Sequence, residues 1–296
     1  MTDLEREAVG LEVRDHCPAC GTRAERPFFS RPFDDDPVQT YLRSFYAGRL
    51  DENQLRGKRF ELCRCDDCDL VFQRSVPNAA LLAHLYGPVA GADPAEVASR
   101  RGLDARLAYQ HDIERVMRYL GDKPPVRVLD FGAGTGLWLQ MAAALGCQTA
   151  ACELTSATSD RLRSLGHETV VLADLESESF DFINSEQVFE HLVEPRQALA
   201  SLSRALRCGG LLRISVPNGS DVDARLKLED WSAPKGTAAS LHCVAPLEHL
   251  NCFTHASLRR LAFGAGLVPF AFPLRTEVHQ TARLRFAASA LGHRVR

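Results

Sequence analysis

No apolar run in this 296-residue chain approaches the roughly 18 to 20 residues of a membrane-spanning helix, so no membrane partner is expected. The opening residues, Met1-Thr2-Asp3-Leu4-Glu5-Arg6-Glu7, lack the basic and apolar regions of a signal peptide, and a cytoplasmic location is expected. An excess of one charge is missing as well. The formal net charge is -3 and the pI is near 6.4, which argues against a general nucleic-acid partner. The ten cysteines have neither the secretory context nor the spacing of a disulfide framework. With 45% hydrophobic residues, the chain has the length and composition of a large globular core domain plus a smaller one.

The cysteines are arranged for metal instead. Cys17-Pro18-Ala19-Cys20-Gly21 is a knuckle whose tight turn lets two thiolates converge on one ion, and Cys65-Asp66-Asp67-Cys68 supplies a second pair. Two pairs make the four ligands of a closed, tetrahedral Zn2+ site, and a site with no open position is structural. The flanks Phe60-Glu61-Leu62 and Leu70-Val71-Phe72 are strand-like, as in a zinc ribbon carrying a long insertion. Cys63, two residues before Cys65 on the same side of a strand, could replace it, and His16 is the other ambiguous neighbour. The insertion from Arg26 to Arg59 carries Asp34-Asp35-Asp36, read as a solvated loop, and Tyr41, Phe45 and Tyr46, expected to pack against the larger domain.

The most informative stretch is Val128-Leu129-Asp130-Phe131-Gly132-Ala133-Gly134-Thr135-Gly136, an apolar strand that runs into three alternate glycines. Glycine lets backbone turn tightly and approach a ligand closely, and the following helix, expected from Leu137 to Leu145, aims its first amides at that ligand. A dinucleotide fingerprint would need a third glycine where this chain has Leu137 or Leu139. Asp130, just before the loop, suits a cofactor carrying an ammonium and a sulfonium rather than a pyrophosphate. Together with the segments that follow, the run from Val126 to about Leu267 resembles a class I S-adenosylmethionine (SAM)-dependent methyltransferase. That resemblance implies a doubly wound, Rossmann-like α/β sheet behind the small N-terminal zinc-binding domain, with SAM as cofactor.

The family's segments occur in order. The strand Gln148–Cys152 ends at Glu153, where the family places the carboxylate that holds both ribose hydroxyls. Thr169–Leu172 leads to Asp174, which in the family accepts from the adenine amino group, and to Leu175, whose amide meets the ring. Phe180-Asp181-Phe182-Ile183-Asn184-Ser185-Glu186 reads as the fourth strand, and Val188-Phe189-Glu190-His191-Leu192 looks like the family's V-x-E-H-L continuation. Pro195 to Leu206 is helical by spacing, closed by Cys208-Gly209-Gly210; Leu211 to Val216 is the fifth strand, and Leu267 to Phe272 the sixth. Ligands in such sheets lie beyond the C-terminal strand ends. Asp130, Gly132, Gly134, Gly136, Glu153, Asp174, Leu175, Ser185 and Glu186 are therefore the candidate cofactor residues.

The expected organisation is a zinc ribbon over residues 1–86, a linker over 87–102, and a methyltransferase domain over 103–296 with a substrate lid around 219–247 that includes Trp231, Lys235 and His242. A ribbon joined to this core also resembles the sugar C-methyltransferases of deoxysugar pathways. The shared points are C-P-x-C-G, C-x-x-C-D-L-V-F, Tyr86, and Glu248-His249 followed by Phe253-Thr254. Those enzymes carry an additional C-terminal α/β domain for which the residues after Leu250 leave no room. The resemblance nominates His249 as a base with Glu248 as its orienting partner, and His191 and Tyr86 as further catalytic candidates; His242 and His255 belong to the same face. The expected acceptor is a small molecule, a nucleotide-linked sugar or another secondary metabolite. The alternatives are an RNA or protein methyltransferase that uses the ribbon for recognition, and a catalytically silent SAM-binding protein. The tail arginines, Arg275 to Arg296, read as a solvated terminus, and oligomeric state leaves no mark on the sequence.

Overall fold

A computed structural model describes residues 9–24, 26–47, 50–86, 103–121, 125–272 and 281–288, the last stretch and Tyr86 by backbone only. The expected linker 87–102 lies outside the described residues. The N-terminal part has five short strands: β1 (Leu11–Val13), β2 (Pro27–Pro32), β3 (Arg59–Arg64), β4 (Val71–Gln73) and β5 (Ser75–Pro77). Between β2 and β3 lies the helix Asp36–Tyr46, which starts with a proline in its first turn and buries Val38, Leu42 and Tyr46. Asp36 thus opens a helix rather than a loop.

The core sheet contains β6 (Arg127–Phe131), β7 (Gln148–Cys152), β8 (Glu168–Val170), β9 (Phe180–Glu186) and β10 (Leu206–Pro217), all parallel. After β11 (Asn251–Cys252), which joins the small sheet, come β12 (Leu267–Phe270) and β13 (Thr281–Ala288). The seven-stranded order is β12-β13-β10-β9-β6-β7-β8, with β13 antiparallel to both neighbours. Strands covered on both faces must be apolar throughout, and Val128, Leu129, Ile183, Leu212 and Ile214 are each at most 1% exposed. Helices Leu137–Ala144, Ser156–Ser164, Pro195–Ala205 and His255–Gly264 carry the crossovers.

Two sequence expectations change here. The glycines after the Pro195–Ala205 helix do not stop it as a simple cap; they sit inside a longer fifth strand, at a register irregularity between Leu206 and Leu211. A Cβ on Gly210 would lie 2.9 Å from the carbonyls of Arg207 and Asp181, so the bulge requires glycine there. The tail is not a solvated terminus throughout: Thr281–Ala288 fills the gap between β10 and β12. Its alternation of Arg283 and Arg285 with Leu284 and Phe286 has the period of a strand.

The small sheet has the order β11-β4-β3-β2, so its edge is completed by residues that follow the core strand β10. Buried side chains lock this junction. Gln73, 1% exposed, donates from Nε2 to the carbonyls of Ala245 (2.8 Å) and His249 (2.9 Å) and accepts at Oε1 from the Leu247 amide (3.0 Å). Leu247 is held at φ 66°, a left-handed conformation that branched side chains adopt at a cost. Arg14 donates to the carbonyls of Gln73, Leu250 and Val193 and to Asn251 Oδ1, and Asn251 Nδ2 donates to the carbonyls of Phe189 (3.0 Å) and Leu192 (2.7 Å).

Gln73→Ala leaves the buried Leu247 amide and His249 carbonyl without their partner, while the Ala245 carbonyl keeps the amides of Glu248 and His249. Given about 1 to 3 kcal/mol for each unsatisfied buried group and some recovery by water, the protein should lose on the order of 3 kcal/mol of unfolding free energy. Denaturant unfolding of wild type and variant measures the difference; a loss under about half a kcal/mol would show that the junction does not depend on Gln73.

Candidate cofactor and acceptor site

The glycine loop leaves β6 at its C-terminal end. Gly132 (φ 81°) donates to the Cys152 carbonyl at 2.9 Å, and a Cβ on it would drive into Val188. Gly136 (φ 75°) precedes the Leu137–Ala144 helix, and a Cβ there would lie 2.6 Å from Leu162 Cδ2. Gly134 has open space on its Cβ side, the side from which a ligand could approach. Its amide donates to the Glu153 carboxylate at the end of β7, and Glu153 also accepts from the Leu154 amide (3.3 Å). Arg161 on the next helix donates to the carbonyls of Thr135 (3.0 Å) and Gly134 (2.5 Å), fixing the loop from behind. The sequence had not singled out Arg161. Asp174 ends a short 3-10 turn, exposed, and Leu175 is buried behind it.

Below the loop runs a buried polar chain. Asn184 Nδ2 donates to Asp130 Oδ1 (2.7 Å), Arg213 Nη1 donates to Asn184 Oδ1 (2.7 Å), and Arg213 reaches Glu186 Oε2 at 3.1 Å through both Nη1 and Nη2. Tyr109 of the Leu103–Leu120 helix donates to the other Glu186 oxygen (3.1 Å). Burial pushes the Asp130 carboxyl up to about 7, with Glu186 and Glu153 adding to the rise and Asn184 and Arg213 opposing it. Ser185 is fully buried, its hydroxyl without a hydrogen-bond partner. Arg213 and Asn184 were missed as functional residues; the one available signal is a charge in the apolar run Leu211-Leu212-Arg213-Ile214.

Next to this chain, three imidazoles pack ring against ring: His191 and His249 with centroids 4.7 Å apart, His249 and His242 4.4 Å apart. His191 follows β9 in a 3-10 turn, and the Gln73 junction positions His249. Glu190 is 1% exposed with neither carboxylate oxygen hydrogen-bonded; Glu248 Oε2 and His249 Nδ1 are buried and likewise without partners. Burial raises Glu190 to about 8 and Glu248 to about 7, and lowers His191 and His242 to about 4 and His249 well below the usual histidine range. The imidazoles are therefore neutral at neutral pH. Phe45 stands 6.4 Å from His242, Tyr41 stacks on Phe45, and Trp231 meets Tyr41 edge-on at 5.8 Å. The aromatics of the insertion do pack on the core. His255 is exposed at the start of its helix, outside the ring cluster, and Tyr86 ends the Ala79–Tyr86 helix with its side chain outside the description.

The four cysteine sulfurs, Cys17, Cys20, Cys65 and Cys68, lie within 4.8 Å of one another, with Cys17 and Cys68 at 3.6 Å and Cys20 and Cys65 at 3.4 Å. Tetrahedral ligands bound at about 2.3 Å would sit about 3.8 Å apart, so the set fits an ion with little movement. Gly21 (φ 82°) and Asp69 (φ 60°) turn the two knuckles, and their amides donate to the Cys17 and Cys65 carbonyls. Cys63 is buried in β3 and His16 bonds Asp15 (2.6 Å); neither belongs to the cluster.

A family model described as a methyltransferase domain matches residues 100–269. The chain is similar to the trans-aconitate 2-methyltransferase of Deinococcus radiodurans, 31% identical over 125 residues, 40% of this chain and 47% of that protein. It is also similar to the ubiquinone biosynthesis O-methyltransferase of Idiomarina loihiensis, 28% identical over 159 residues, 48% of this chain and 65% of that protein. The matches thus span between about half and two thirds of these relatives' lengths. A crystal structure of a SAM-dependent methyltransferase from Aquifex aeolicus compares at a TM-score of 0.43 and 20% identity, covering 67% of this chain and 98% of that one.

Asp130 gives the site a pH dependence of definite sign. Its folded value of about 7 lies above the ordinary carboxyl value, so its contribution to stability is full below the unfolded pKa and is lost as pH rises through 7. Asp130→Asn removes that loss. In the ligand-free protein, unfolding free energy should fall between about pH 5 and 8 more steeply for wild type than for the variant; parallel curves would show that Asp130 ionises normally.

Proposed function

The chain belongs to the methyltransferase-domain family of SAM-dependent enzymes, and from that premise we propose that it transfers the SAM methyl group to a small-molecule acceptor, a nucleotide-linked sugar or another secondary metabolite. The observation that carries the reading is the adjacency of the glycine loop at the end of β6 and the neutral imidazole cluster beyond β9, a cofactor end and an acceptor end on one edge of the sheet. Glu153 would hold the ribose hydroxyls, the exposed Asp174 and the Leu175 amide the adenine, and Asp130 with the Gly132–Gly136 loop, Ser185 and Glu186 the methionyl end. The segment 219–247, with Trp231 packed on Tyr41 and Phe60, would cover the acceptor.

SAM bound at the cofactor end would supply an activated methyl group, displaced from its sulfur as a neutral thioether is released, and the residues of this chain would hold the acceptor atom toward it. Most of the acceleration comes from alignment at short distance. The acceptor's proton needs a neutral base, and His249, with an unpartnered Nδ1 and Glu248 beside it, assists its removal. Both curated relatives carry names of small-molecule methyltransferases, which supports the acceptor class. The junction through Gln73 and Arg14 favours a ribbon that scaffolds the acceptor end over one that recognises RNA or protein. Structural Zn2+ held by Cys17, Cys20, Cys65 and Cys68 would stiffen that scaffold.

Protein purified without chelator should contain zinc bound by these four cysteines, and Cys65→Ser should lower both metal content and melting temperature. Elemental analysis decides it; a folded, metal-free wild type overturns the site.

Cofactor and acceptor ends should separate kinetically. Glu153→Ala removes charge-assisted hydrogen bonds contributing roughly 1.5 to 3 kcal/mol, which weakens SAM by about one to two orders of magnitude in calorimetry. His249→Ala should leave SAM affinity unchanged and lower kcat by about 10² to 10⁴. The reverse pattern would show that the two ends have been exchanged.

A further inference from the structure

Glu190 buries a carboxylate at 1% exposure without a hydrogen bond to either oxygen. A buried polar group left unpartnered is costly, and such groups resolve by protonation, by an unseen partner or by a metal ion. Its neighbours favour the ion. His191 Nδ1 lies 3.0 Å from the Glu248 carbonyl oxygen, which can only accept, so the ring proton is on Nδ1 and the lone pair on Nε2. That Nε2 is 3.9 Å from Glu190 Oε1. A backbone carbonyl fixing the far nitrogen of a histidine is the usual outer partner of a metal ligand. His249 Nδ1, buried and unpartnered, completes a set in which one ligand atom from each of the three residues lies within 4.8 Å of the others.

We propose that Glu190, His191 and His249 form a second metal site, separate from the four cysteines, for a divalent first-row transition ion that binds an oxygen of the acceptor. Two imidazoles and one carboxylate suit such an ion better than calcium or magnesium, which prefer all-oxygen ligand sets. Bonds of about 2.0 to 2.2 Å would draw the three atoms to about 3 to 3.5 Å apart, octahedral or tetrahedral, a closure of about 0.5 to 2 Å within reach of side-chain torsions. Three protein ligands leave positions open, and His242, whose ring lies 4.4 Å from that of His249, lines the same space. The inference rests on the reading of this cluster as the acceptor end and moves the base within it from His249 to Glu248. The acceptor is a hydroxyl compound whose oxygen ligates the ion; its proton passes to the unpartnered Oε2 of Glu248, because the His249 lone pair is engaged. The oxygen then attacks the methyl group, the bond to sulfur breaks with its electron pair returning to sulfur, and the ether and the thioether leave.

The test uses the full chain with zinc in its cysteine site, titrated with Co2+ and followed by visible absorption and calorimetry. One saturable equivalent with the weak bands of nitrogen and oxygen ligation, and no thiolate charge-transfer band, is expected. Glu190→Gln, isosteric and neutral, should weaken it by more than the roughly 10- to 100-fold that loss of an outer partner costs, as should His249→Gln. His255→Ala, outside the cluster, should bind as wild type. S-adenosylhomocysteine binding and near-UV circular dichroism confirm that each variant is folded. Absence of a second equivalent in wild type, or binding unchanged in both folded variants, overturns the site. Methyl transfer by an enzyme that takes up no second ion would overturn this site and leave the methyltransferase reading standing.

Discussion

The junction between the small sheet and the core rests on one requirement, that buried backbone carbonyls and amides find partners. The turn from Ala245 to Leu250 is packed away from water, and Gln73 and Arg14 supply the donors and acceptor it lacks. Asn251 does the same for the turn after β9. His249 and His191 are carried by these two turns. Their rings meet because three polar side chains, two of them from the N-terminal part, leave the turns one arrangement. The cysteine cluster flanks the strands that supply those side chains, so a metal held there would bear on where the imidazoles sit.

The second constraint is dielectric. Asp130, Glu190 and Glu248 are acids in surroundings that disfavour charge, and His191, His242 and His249 are bases in the same condition. In the function proposed, a sulfonium brought to Asp130 would supply the positive charge that its ionised form lacks, and methyl transfer would then disperse that charge. A site that solvates ions poorly while holding fixed dipoles favours such a reaction over the same reaction in water. Arg213, held by Glu186 and Asn184 inside the sheet, offsets part of the negative potential around Asp130 without reaching solvent.

Local pattern made the core legible. Gln148–Cys152 coincides with its sequence expectation residue for residue, and β6 and its glycine loop differ little, because period and punctuation are properties of adjacent residues. The paired cysteines converge as their spacing implied. The strand Thr281–Ala288 was not legible, since what makes it a strand is the gap between β10 and β12. The network Asp130–Asn184–Arg213–Glu186 was not either, because its members come from three strands whose register no single stretch contains.

The sequence by itself determined the order of strands and helices, the left-handed turns that glycine permits, and the chemical types brought to the sheet edge, for these depend on bonds and neighbours along the chain. Tertiary structure alone decided that Glu190 is buried with neither carboxylate oxygen hydrogen-bonded, that the rings of His242, His249 and His191 meet in a row, and that the small sheet takes its last strand from residues 251–252. Burial and juxtaposition are relations between segments distant in sequence, and the packing that creates them is fixed only when the whole chain has closed.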